Sequence, residues 1–230
     1  MTRLPPEQLH RWDVTPQEAF AIQHRLAARV ERQTRLGEVR VIAGVDMSAT
    51  GVARAAVVLL SYPDLDTIEI ARAEKPLDFP YVPGLLSFRE GPAVTAAFAR
   101  LSRRPDLVMF DGQGIAHPRR IGIAAHIGVL LDLPSIGVAK SVLVGRSADP
   151  GPDPGDWTPM TDKGEVVGAA LRTKPRVKPV YISIGNRIDL PSAIEWVLAV
   201  CRGYRLPEPT RRAHNAAAVA EGGDNTTCGD

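Results

Sequence analysis

Apolar residues along this chain fall into short blocks, and the spacing within each block changes from place to place. Ala19, Ile22, Leu26 and Val30 recur at helical spacing. Thr15-Pro16-Gln17-Glu18 precedes them as a capping box with proline at the first helical position, so a helix is predicted from Thr15 to about Leu36, with Gly37 as its stop. Residues 39–48, 53–62 and 66–73 are β-branched or alternating. They predict three strands joined by short turns, with Gly51 in the first turn, as an antiparallel meander. Residues 79–90 begin as a loop stiffened by Pro80 and Pro83 around Tyr81-Val82. Leu85, Leu86, Phe88, Val94, Phe98 and Leu101 then lead a helix to about Arg104, where Arg100, Arg103 and Arg104 would suit the negative end of its dipole.

Residues 107–110 are a four-residue apolar run, expected as a buried strand. A helix over 119–131 and a short strand over 133–139 follow. Residues 145–164 are rich in Pro and Gly and read as a long irregular loop. Residues 165–172 and 179–184 read as two more strands, separated by the basic link Thr173-Lys174-Pro175-Arg176-Val177-Lys178. Ser192-Ala193-Ile194-Glu195 is a second capping box. It opens a helix with the stripe Ile194, Val197, Leu198 and Cys201, stopped by Gly203. Residues 205–214 carry no assigned element, and 215–230 are too small and polar to bury much surface. One domain over 1–214 with a disordered tail over 215–230 is therefore expected.

Composition narrows the class. The 230 residues are 44% hydrophobic and 23% charged, which supports one sizeable core. A net charge of +2 is too small to indicate nucleic acid by itself. No apolar run reaches membrane-spanning length, and residues 1–12 lack the apolar core of a secretory signal. With only Cys201 and Cys228 present, no disulfide is expected, and a reducing cytoplasm and no membrane partner fit.

Two of the predicted strands end in a carboxylate that packing does not explain, Asp46 and Asp111. If the strand over 107–110 lies parallel beside the first, both acids meet at one edge of the sheet, and Glu90 is the natural third acid. Three carboxylates without local basic partners repel unless a hard cation lies between them, and oxygen donors suit Mg²⁺, with Mn²⁺ as a substitute, over zinc. Such a site suits phosphodiester hydrolysis. Lys140 is placed to neutralise phosphate charge and His214 to position a water or carry a proton. His117 and His126 read as structural.

The order of strands and acids resembles the α/β ribonuclease H-like fold, a mixed sheet of three antiparallel and then parallel strands flanked by helices. Four local motifs are more specific. GVDMS at 44–48, PYVPGLLSFRE at 80–90, DGQGIAHPRRIGIAAHIGVLLDLPSIGVAK at 111–140 and RLPEPTRRAH at 205–214 closely resemble endonuclease V, over roughly residues 15 to 215. The resemblance implies Mg²⁺-dependent cleavage of DNA, double- or single-stranded, that contains deoxyinosine, the product of adenine deamination. The cut would fall at the second phosphodiester bond 3′ to the lesion, leaving 3′-hydroxyl and 5′-phosphate ends.

It also implies site roles. Asp46 and Asp111 would hold the metal, Glu90 would complete the acidic centre, His214 would sit beside it, and Lys140 would contact the reacting phosphate. Pro80, Tyr81, Val82 and Pro83 would form a wedge. Leu86, Gly112, Gly122, Ile123 and Leu143 would line a pocket for the extruded base. Stiff aromatics can replace lost base stacking, and a damaged base is easier to extrude. Gly112 and Gly114 are expected to bring main-chain groups to the base. Three positions depart from the family pattern: Ala49 where an aromatic is common, Asn186-Arg187 where Gly-His is usual, and Gln113 for a frequent Asn. The protein is expected to act as a monomer. Inosine-containing RNA is the alternative substrate, and a non-catalytic nucleic-acid binder is the alternative class.

Overall fold

The computed structural model describes residues 9–218. Its centre is an eight-stranded mixed sheet in the order β3-β2-β1-β4-β5-β8-β7-β6. The strands are β1 (Val41–Thr50), β2 (Val52–Ser61), β3 (Thr67–Lys75), β4 (Leu107–Phe110), β5 (Ser135–Ala139), β6 (Trp157–Asp162), β7 (Glu165–Leu171) and β8 (Val180–Asn186). β1 to β3 form the expected antiparallel meander, turning at Gly51 with φ 76°. β4 lies parallel to β1, and β5 parallel to β4. Burial on both faces is why β4 is an unbroken apolar run: Leu107 and Met109 join the core on one face, Val108 and Phe110 on the other.

Five helices flank the sheet: α1 (Pro16–Ala27), α2 (Leu86–Ala99), α3 (Ile123–Leu130), α4 (Leu190–Ala199) and α5 (Glu208–Ala217). α4 and α5 supply Val197, Ala213 and Ala216 to one core. α2 and α3 supply Val94, Phe98, Ala124 and Ile127 to the core on the opposite face. α1 packs outside that layer, with Ile22 and Leu26 against Phe88 and Ile121. No helix among the described residues is long and apolar enough to cross a membrane.

Several boundaries differ from the sequence pattern, each for a tertiary reason. α1 keeps its capping box but stops at Ala27, not Leu36. The chain beyond it instead pairs with the end of β8: Arg187 N donates to Glu31 O at 2.7 Å, and Arg35 N to Arg187 O at 3.0 Å. Asn186 Oδ1 accepts from Glu31 N at 3.0 Å, so the unusual Asn186-Arg187 pair is a clamp on this segment. α2 ends at Ala99, and Arg104 reaches the C-terminal carbonyls after α3, at Leu131 O (3.2 Å) and Asp132 O (2.5 Å). α3 begins at Ile123 because Arg120 adopts φ 58° and breaks the helical run.

The segment over 145–164 is not wholly irregular. β6 runs along the edge of the sheet there, and its Pro159 is tolerated because an edge strand has one unpaired side. α4 is capped by Asp189, which accepts from Ser192 N at 2.8 Å, so the box at Ser192 is not used. α5 replaces the unassigned stretch and extends past His214 to Ala217, with Ala216 and Ala217 buried. Residues 215–217 of the expected tail are therefore helical, and 219–230 lie outside the described residues.

Candidate active site

The parallel pairing of β1 with β4 sets the site. Val45 pairs with Phe110, and Asp111 N donates to Val45 O at 2.8 Å, so Asp111, just past β4, lies beside Asp46. β1 was expected to end at that acid but runs on to Thr50, held by its ladder with β2, which leaves Asp46 in mid-strand. Lys140 follows β5, and its Nζ lies 2.5 Å from Asp111 Oδ2. His214 arrives from α5, with Nδ1 2.7 Å from Asp46 Oδ2. A carboxylate can only accept, so Nδ1 carries a proton, and Nε2 is left outside that bond. α5 reaches this position because Gly44 has no side chain: a Cβ there would stand 1.8 Å from Pro209 O.

Glu90 lies on α2, buried, and its carboxyl is pushed up to about 7 by burial and then by the charge of Asp46, with Arg89 opposing. Burial also raises Asp111, helped by Asp46 and opposed by Lys140. The acids are thus not free of basic partners, as the sequence had suggested. Lys140 is ion-paired with Asp111, and His214 donates a hydrogen bond to Asp46. Donor atoms of Asp46, Asp111 and His214 lie within 4.8 Å of one another, an oxygen-rich group that can hold a divalent cation. Glu90 stands near that group without belonging to it.

Beside the acids is an open cavity of about 180 Å³. Tyr81, Val82 and Pro83 form one side, and Leu86, Gly122, Ile123 and Leu143 contribute to the rest. An apolar cavity near 150 Å³ already admits a benzene ring. Tyr81 is 74% exposed, Leu86 43% and Leu143 51%, so the mouth is apolar and uncovered. Of the expected lining, Gly112 does not border this cavity, and neither does Pro80 of the expected wedge. Gln113 does; its Nε2 donates to Ser141 O at 2.8 Å, while its Oε1 is buried with no partner among the described residues.

Gly114 does not offer its backbone to a ligand. Its N–H donates to Ser183 Oγ at 2.8 Å, its carbonyl accepts from Gly122 N at 2.8 Å, and a Cβ would stand 2.0 Å from Ile184 O. The glycine is there for the sheet.

The loop over 80–84 is held by a brace that the sequence did not disclose. The carbonyl of Gly84 (φ 78°) accepts from Gln23 Nε2 at 2.9 Å, His117 Nε2 at 3.0 Å and Arg119 Nη2 at 2.7 Å. Arg119 Nε closes the ring on Gln23 Oε1 at 2.5 Å. Behind the pocket runs a second chain of bonds. His10 Nδ1 faces Arg11 O (2.8 Å), His10 Nε2 meets His126 Nε2 (2.7 Å), and His126 Nδ1 meets Ser87 Oγ (2.8 Å). The carbonyl fixes the proton on His10 Nδ1; Nε2 then accepts from His126, whose Nδ1 accepts from the serine hydroxyl. Both rings are neutral: burial lowers His10, and pushes His126 down to about 3. His117 is pushed down to about 4, again first by burial.

A mixed sheet of this order, with one carboxylate on its first strand and another just past the parallel strand beside it, defines a ribonuclease H-like enzyme. The family model for endonuclease V matches residues 24–215, and the chain belongs to the endonuclease V family, which makes it a nuclease. It is 52% identical over 213 residues to the endonuclease V of Gloeobacter violaceus, covering 90% of this chain and 87% of that one. The crystal structure of endonuclease V from Streptomyces avermitilis superposes with a TM-score of 0.86 at 43% identity, covering 90% of this chain and 93% of that one. That of Ciona intestinalis endonuclease V, in complex with DNA containing an inosine followed by a ribo-adenosine, gives 0.76 at 26% identity, covering 88% and 95%.

Proposed function

We propose that this protein is a Mg²⁺-dependent endonuclease that recognises deoxyinosine in DNA. It hydrolyses the second phosphodiester bond 3′ to the lesion, leaving 3′-hydroxyl and 5′-phosphate ends. The observation that carries the reading is the meeting of Asp46, Asp111 and His214 donor atoms within 4.8 Å, next to a cavity walled by the exposed Tyr81. That the Ciona relative was crystallised on inosine-containing DNA supports the substrate.

The donor set fits a hard divalent cation: two carboxylates converge, and burial already disfavours the charge of Asp111. Asp46 and Asp111 would hold Mg²⁺, with Mn²⁺ able to replace it and Glu90 completing the negative centre. A bound metal lowers the pKa of a water and stabilises charge on phosphate. His214, its Nδ1–H committed to Asp46, takes a proton from the attacking water at Nε2. Lys140 neutralises phosphate charge and exchanges its contact with Asp111 for one with the scissile group. The 3′ oxygen leaves and is protonated, and the water oxygen stays on phosphorus. Tyr81 fills the gap left by the extruded base, and the cavity bounded by Leu86, Gly122, Ile123 and Leu143 receives that base.

The test is nicking of a duplex carrying one inosine, against the same duplex without it, with Mg²⁺ or with chelator. Nicking only of the inosine strand, only with metal, at the second bond on the 3′ side, is expected. Equal cutting of both duplexes would overturn the substrate. Inosine-containing RNA is a second reading, favoured by the ribo-adenosine after inosine in the Ciona complex. Competition between matched RNA and DNA strands decides it, since the 2′-hydroxyl is their main difference at the site.

A further inference from the structure

The basic link between β7 and β8 is unused by the reaction above. Leu171 pairs with Val180 and Tyr181 with Ala139, so the link leaves the sheet at the edge that carries Lys140 and, one strand further, Asp111. At about 4.8 Å per strand, it starts roughly 10 Å from Asp111 at the end of β4. Arg205 ties it to the site: its Nε donates to Lys178 O at 2.9 Å, and its Nη2 to Lys140 O and Pro179 O, each at 2.8 Å. Arg172, itself buried, bonds Val177 O from the other side.

Lys174, Arg176 and Lys178 are exposed on this fixed base, with no carboxylate partner among the described residues. Arg176 adopts φ 60°. Two other arginines share that strained backbone, Arg120 (φ 58°) and Arg187 (φ 53°). Both are held by acids, Arg120 by Asp162 at 2.8 Å and Glu165 at 2.6 Å, Arg187 by Asp132 at 2.6 Å. The Arg176 side chain makes no hydrogen bond or ion pair among the described residues to compensate that strain, at a position that glycine would fill without cost. Strain of this kind points to a side chain wanted for something outside the fold.

We infer that residues 173–178 are a phosphate-contacting arm. It holds the sugar–phosphate backbone of the bound strand beyond the reacting bond and reads no base. This rests on the proposed nuclease reading and extends the site along the sheet edge from Lys140. The occupant is nucleic acid because three unpaired cations continue a line that already ends in a phosphate-neutralising lysine.

The experiment compares the full-length protein with Arg176→Gly and with the triple variant Lys174→Ala, Arg176→Gly, Lys178→Ala. Kd for an undamaged duplex and KM for an inosine duplex are measured in Mg²⁺ buffer across a salt series. Each lost phosphate contact flattens the slope of log affinity against log salt by about 0.9, so the triple variant loses about 2.7. Both duplexes respond alike, and the loss falls on KM before kcat. Arg176→Gly melts no lower than wild type while binding more weakly, opposite signs that a folding defect would not give. An unchanged slope in the triple variant, or a loss confined to inosine DNA, overturns the arm. A wild type that binds both duplexes but never nicks inosine overturns the nuclease reading instead, and the slopes still decide the arm.

Discussion

The acid edge and the base cavity lie side by side and are built by different means. The acid edge is made by strands. Asp46 sits within β1, Asp111 and Lys140 directly follow β4 and β5, and ladder hydrogen bonds fix their spacing. The cavity is made by loops and helix starts, with apolar walls, and a ring of side-chain bonds on the carbonyl of Gly84 supports it. On one side, charge does the chemistry and the backbone holds it. On the other, apolar surface meets the ligand and buried polar groups hold the loop. The two sides should therefore fail differently when damaged.

The largest difference is expected from Asp111→Asn. Removing one charge from the metal-binding pair should lower the nicking rate by roughly 10³-fold, the scale of the several kcal/mol that metal-assisted charge stabilisation supplies. Gel-shift affinity for inosine DNA should hold. A variant that nicks at the wild-type rate would remove Asp111 from the chemistry.

The next contrast is in pH. Glu90 titrates at about 7 in the fold against 4.5 unfolded, so the folded state takes up a proton first and gains stability as pH falls from 7.5 to 5. His126 behaves oppositely. Unfolded, it binds a proton near 6.5; folded, it refuses one until about 3, so stability present above 6.5 is lost as pH falls. Each effect is about 2 kcal/mol over that interval. Thermal melts of metal-free protein at the two pH values should show His126→Gln losing less than wild type and Glu90→Gln losing more. Shifts of the same sign would refute the assignment of opposite roles.

The smallest effect expected is at the wedge. Tyr81→Ala should weaken binding of inosine DNA by about tenfold, within the 1–3 kcal/mol of base–aromatic stacking, and should leave binding of the metal itself intact. Calorimetric titration with Mn²⁺ alongside a DNA gel shift separates the two. Equal affinity for inosine DNA in wild type and variant would sink the wedge role.

The same contrast explains what could be read in advance. An Asp at the end of an apolar strand has no packing role, so Asp46 and Asp111 stood out, and the short buried run before Asp111 placed them together. The meander was equally plain from its period of two. The cavity was harder, because Leu86, Gly122 and Ile123 look like ordinary packing residues, and Gly114 proved to be one. Nothing local marks Gln23 as a brace for Gly84, since its partner lies 61 residues away. α5 was missed for another reason. Proline at 207 and 209 hid it, although proline suits a first turn, and Glu208 bonded to Arg211 and Arg212 three and four residues on is a helical spacing. β6 was hidden by Pro159 in the same way.

The seat of α5 on Gly44 has a consequence in time. Asp46 and His214 touch, yet 168 residues separate them. A ribosome adding roughly 5–20 residues per second needs about 8–34 s to make that interval. During it the sheet can form from the strands already synthesised, while the acid edge lacks its histidine and stays open on that face. A chain released after Asp111 but before α5 would carry every carboxylate of the proposed reaction and still be a poor nuclease. Competence to cut is thus among the last properties this protein acquires as it is made.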